Sequence, residues 1–65
     1  KTAFIEDGKL ILPDSTTSAA IYTIDGRIVK ESDGAVADVS MLPAGIYVTI
    51  ANGDDGKRTF KIVIR

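Results

Sequence analysis

"MLPAGIYVTI", residues 41–50, sets a Leu-Pro-Ala-Gly corner directly against a run in which Ile, Val and Ile alternate with Tyr and Thr. Pro43 restricts the approach angle and donates nothing to a ladder, while Gly45 permits the sharp bend that follows. A strand of period two then begins. Leu42, Pro43, Gly45 and Tyr47 have the layout of a tyrosine corner, in which the phenol packs inward and its hydroxyl bonds backbone a few residues upstream. Such a corner pins a crossing between two sheets, so the stretch points to stacked sheets.

Working outward, Asp-Gly recurs at Asp7-Gly8, Asp25-Gly26, Asp33-Gly34 and Asp55-Gly56, with Asn52-Gly53 as a fifth turn signal. Aspartate tolerates left-handed backbone and glycine adopts it freely, which suits the type I′ turns of antiparallel hairpins. Between these signals lie candidate strands at residues 2–5, 9–12, 18–25, 27–31, 35–39, 45–51 and 57–65, with the polar stretch 14–18 expected as a loop. No window keeps a helical apolar stripe clear of Gly or Pro. In the last two strands the aliphatics alternate, so Ile46, Val48, Ile50, Phe60, Ile62 and Ile64 are expected in one core, with Lys57, Lys61 and Arg65 outward. The expectation is a single all-β domain over residues 1–65, a small immunoglobulin-like antiparallel β-sandwich of six to seven short strands. The chain is too short to close a barrel around a filled interior.

Composition narrows function chiefly by exclusion. Sixty-five residues with no cysteine build one small core without disulfide support, so stability is expected to be marginal or borrowed from a neighbour. Eight Lys and Arg against nine Asp and Glu give a net charge of -1, which provides no long-range attraction for nucleic acid or anionic lipid. The apolar runs are far shorter than the roughly 20 residues of a membrane helix, which argues against membrane insertion. Lys1 in place of an initiator Met suggests a piece of a longer chain.

Catalysis usually needs a nucleophile with a base, paired carboxylates in a cleft, or a metal, and the chain has no histidine. Ser15, Ser18, Ser32 and Ser40 sit beside turn residues, where hydroxyls cap backbone, so no enzyme is expected. Asn52, Asp54 and Asp55 are the densest oxygen-ligand cluster. Gly56 stands where an EF-hand would place its third ligand and no glutamate closes the loop, so a solvated hairpin tip accounts for the same residues. No metal or other cofactor is expected. A glycan-binding face would call for stacking aromatics, and with no Trp and Tyr47 already committed, Tyr22 alone is a poor platform.

Three blocks in order, "AIYTIDGRIVKE" (20–31), "DVSMLPAGIYVTI" (38–50) and "KRTFKIVIR" (57–65), resemble the C-terminal sorting domain of the type IX secretion system of Bacteroidota. Where many members carry a Tyr-Pro-Asn-Pro-like segment, this chain has "FIEDGKLIL" (4–12). The resemblance implies a non-catalytic address at the C-terminus of a larger secreted or surface protein. That address directs the cargo through the periplasm to the outer-membrane surface. The implied partners are an outer-membrane translocon, a sortase-like protease and the preceding domain of the parent chain. By the same resemblance Gly26 and Arg27 match a Gly-Arg turn, Leu42 to Tyr47 match the corner, and Lys61, Ile62, Val63, Ile64 and Arg65 match a terminal strand read by the machinery. An immunoglobulin-like structural spacer or protein-interaction module of a surface protein is the alternative.

Overall fold

The computed structural model describes residues 3–54 and 56–65. Among the described residues seven strands form: β1 (Phe4–Glu6), β2 (Lys9–Ile11), β3 (Thr16–Thr23), β4 (Ile28–Asp33), β5 (Val36–Asp38), β6 (Gly45–Gly53) and β7 (Gly56–Ile64). They make two antiparallel sheets, one ordered β1-β2-β5 and the other β4-β3-β6-β7. All seven expected segments contain a strand. Thr2 and Asp55, assigned to the first strand and to a turn signal, lie outside the described residues.

The turn signals do different jobs. Asp7 at φ 53° and Gly8 at φ 75° link β1 to β2 through two left-handed residues, the type I′ geometry, with Glu6 opposite Lys9. The β3–β4 hairpin is instead a wider turn, in which the Gly26 N–H donates to the Thr23 carbonyl at 3.0 Å and the Thr23 N–H to the Arg27 carbonyl at 2.8 Å. Asp33-Gly34 makes no hairpin at all, because it carries the chain from the edge of one sheet to the edge of the other. Gly53 belongs to β6, where a Cβ would come within 2.3 Å of the Ser15 carbonyl oxygen.

That close approach also explains why residues 16–18, expected in a loop, join β3. Thr16 pairs with Gly53 across a bulge, and its buried side chain fits the pleated surface of the long central strand pair.

The core lies between the sheets. Leu10, Leu12, Ala37 and Val39 meet Ala19, Ile21, Tyr47, Ala51 and Ile62, with Phe60, Ile64 and Leu42 packed at the margin. The phase of β7 is the expected one, but that of β6 is not. Tyr47, Thr49 and Ala51 face inward, whereas Ile46 is 48% exposed and Val48 and Ile50 lie half-buried on the outer face. The register makes this consistent, since Tyr47 opposes Ile62 and Thr49 opposes Phe60. The reason for the correction is the corner: a phenol that reaches back to the residues before β6 occupies the inward phase, and the alternating aliphatics take the other.

Candidate functional site

The corner is built over residues 38–47 from short-range hydrogen bonds. Asp38 Oδ1 accepts from both the Ser40 N–H at 2.9 Å and the Ser40 hydroxyl at 2.6 Å, and the Leu42 N–H donates to the Val39 carbonyl at 3.1 Å. Tyr47 closes it, its hydroxyl donating to the Pro43 carbonyl at 2.7 Å. The hydrogen bonds from Ser40, helped by the field of Lys30 and Lys9, hold the Asp38 carboxyl below the usual range. Ser40, one of the four candidate serines, is thereby engaged in shaping the corner.

A second connection at the same end of the molecule is the hairpin carrying Gly26 and Arg27. Thr23 organises it by accepting the Arg27 N–H at 3.1 Å and donating its hydroxyl to Asp25. That bond, with the nearby Arg27 cation, lowers the Asp25 carboxyl. Gly26, at φ 96°, supplies the left-handed residue the turn requires. Neither Thr23 nor Asp25 stood out in the sequence as more than strand end and turn; the Thr-x-Asp-Gly spacing is the signal that marks them.

The register places these pieces relative to β7. Thr23 opposes Tyr47, and Tyr47 opposes Ile62, so one row across the sheet joins the hairpin, the corner strand and the terminal strand. Beyond that row lie Gly26 and Arg27, Gly45, and residues 63–65. Chain positions some 40 residues apart thus meet at one end of one sheet. They do not form one spot: β4 and β7 are opposite edges, three strand spacings or roughly 14 Å apart.

Within the terminal strand the expected residues divide. Ile62 is buried and Ile64 packs against the core, while Lys61, Val63 and Arg65 are exposed. Pleating alternates the side chains, so every second residue anchors the strand and the others are presented. Because β7 is an edge strand, its outer backbone groups have no neighbouring strand in the sheet. Among the described residues no group of three or more His, Cys, Asp or Glu is arranged to hold a metal. The Asn52, Asp54 and Asp55 cluster extends beyond the described residues at Asp55.

The sequence model of the secretion system C-terminal sorting domain matches residues 5–65, nearly the whole chain. The chain belongs to that family. As a sorting domain it is a C-terminal signal for type IX secretion, and it directs export by way of the periplasm to the cell surface or beyond. That role entails contact with the type IX machinery. The matched span includes β1, from Ile5 onward, so the "FIEDGKLIL" hairpin belongs almost entirely to the sorting domain itself. Neither a curated protein nor a solved structure gives a significant match to it.

Proposed function

We propose that the secretion machinery reads this sorting domain at the end of its four-stranded sheet where β7 terminates. In this reading Lys61, Val63 and Arg65 are the contact residues on the terminal strand. Ile62 and Ile64 hold that strand in place, and Gly26 and Arg27 form a second contact on the opposite edge. Leu42, Pro43, Gly45 and Tyr47 fix the relative placement of the two. The domain performs no catalysis; it follows a preceding domain of a larger secreted or surface protein and is handed from an outer-membrane translocon to a sortase-like protease. The observation that carries the reading is the division of β7 into inward aliphatics and outward cations on an edge strand.

The test separates recognition from folding. Replacing exposed Lys61 and Arg65 together by glutamate should change stability by no more than about 0.5 kcal/mol per site, because surface charges contribute little. Surface delivery of a reporter fused ahead of the domain should nonetheless fall several-fold in a host with the translocon. A domain that melts as before and still delivers the reporter at full yield removes the proposed contacts.

A further inference from the structure

The two sheets are closed along one side and open along the other. On the closed side, the chain passes directly from β4 to β5, the Gly34 N–H donates to the Thr17 carbonyl at 2.7 Å, and the Leu12 N–H donates to the Ala35 carbonyl at 2.8 Å. On the other side stand β1 and β7, each an edge strand of its own sheet. Between them opens a cleft of about 690 Å³. Its deep residues are Val39 and Ile62, both buried, and its mouth carries Phe4, Ile5 and Val63, which are 52%, 37% and 50% exposed.

Two features of this seam indicate what it takes. Successive strand residues point to opposite faces, and the register sets Ile5 beside core Leu10 and Phe4 beside Ile11, so Ile5 faces the seam and Phe4 the outer surface, and each keeps exposed area. Edge strands are commonly guarded by a charge, and Lys61 meets that need, but a guard does not explain three large apolar side chains left bare beside it. Among the described residues, the lining side chains also include two cations, Lys61 and Arg65, and no Asp or Glu. Arg65 directly follows β7, four positions beyond Lys61, which in extended chain is about 13 Å. A second copy of the chain is a poor occupant, because residues 56–65 contain Lys57, Arg58, Lys61 and Arg65 and no acid, and pairing β7 with itself would set cation against cation.

We infer that the seam between β1 and β7 accepts an extended strand from a partner protein, with aliphatic side chains on its inward face and carboxylates four residues apart on its outward face. The incoming backbone pairs with the free edge of β7, its aliphatics cover Ile62 and Ile5, and its carboxylates meet Lys61 and Arg65. The inference rests on the reading of β7 as the docking strand and adds a role for β1 that the reading does not need.

The probe is a synthetic peptide, acetyl-Thr-Glu-Ile-Val-Ile-Glu-Thr-amide, titrated into the 65-residue chain and followed by fluorescence anisotropy and amide hydrogen exchange. Binding should slow exchange along β7. It should weaken at least tenfold when both peptide glutamates become lysine, and recover when that peptide meets the Lys61→Glu, Arg65→Glu chain. A proline at the central position should abolish binding by removing a backbone donor. Ile5→Ser should weaken binding at least threefold, whereas Phe4→Ser, on the opposite face of β1, should leave it unchanged. Absence of β7 protection, indifference to either charge reversal, or concentration-dependent protection of β7 in the chain alone would each overturn the inference. If the peptide fails to bind while the charge-reversed domain fails to export its reporter, the seam is excluded and the reading of β7 stands. If the peptide binds as described and export is normal, the seam is a strand-binding site and that reading falls.

Discussion

At the scale of single residues, two hydroxyls on β6 have opposite fates. The Tyr47 hydroxyl satisfies the Pro43 carbonyl, and its ring is buried. Tyr47→Phe keeps the ring and loses the bond, so urea unfolding should show a loss of about 1 kcal/mol with an unchanged slope. An unaltered midpoint would mean that the corner holds without it. Thr49, two residues on, is fully buried, and its Oγ1 has no hydrogen-bond partner. A buried hydroxyl without a partner carries a desolvation cost that an isosteric methyl does not. Thr49→Val should therefore stabilise by about 1 kcal/mol, raising the melting temperature by roughly 4–8 °C for a domain of this size. A lowered melting temperature would show that the hydroxyl is satisfied in solution.

At the scale of the element, β6 and β7 look alike on paper and behave differently. Each alternates aliphatics with other residues, yet β7 turns its alternating set inward and β6 turns its set outward. The outer face of the four-stranded sheet consequently carries Ile28 and Ile46, both exposed, with half-buried Val48 and Ile50 between the flanking strands. Paired alanine substitutions test the assignment. Ile62→Ala should cost about 2–4 kcal/mol through lost transfer energy and a cavity, whereas Ile46→Ala should stay under about 1 kcal/mol. Comparable losses at the two sites would show that the outer face of β6 is covered and the assigned phase is wrong.

At the scale of the whole molecule, the two carboxylates among the described residues whose ionisation is clearly favoured sit at one end, Asp25 in the β3–β4 hairpin and Asp38 at the end of β5, before the corner. Each has a folded pKa below that of an aspartate in the unfolded chain. A lowered pKa means that the native state binds the proton less well than the unfolded chain. The stabilisation is complete above the unfolded value and is lost as pH falls through the folded one. Thermal stability should hold level from pH 7 to about 5 and decline below about 4. Over the same range, protection against amide exchange, taken relative to the unfolded rate at each pH, should fall in residues 23–27 and 38–45 before it falls in the central β3–β6 pair. Replacing Thr23 by valine and Ser40 by alanine should flatten the acid limb; an unchanged limb would assign it to other groups.

Much of this arrangement was legible in the order of residues, because the signals involved are local. Pro43, Gly45 and Tyr47 specify a corner within a few residues of one another, Asp7-Gly8 specifies its turn unaided, and the three spaced blocks carry the family. The inward phase of β6 was not legible, since period two allows two phases and both faces of this strand hold apolar residues. A hydrogen bond from Tyr47 to Pro43 and cross-strand partners at Ile62 and Phe60 made the choice. The gathering of Gly26, Arg27 and the terminal strand at one end was likewise hidden, because strand order is set by pairing between segments remote in the chain. So was the open seam. Its existence depends on β1 and β7 becoming edges on the same side of two packed sheets, and only the three-dimensional packing of the sheets decides which edges remain uncovered.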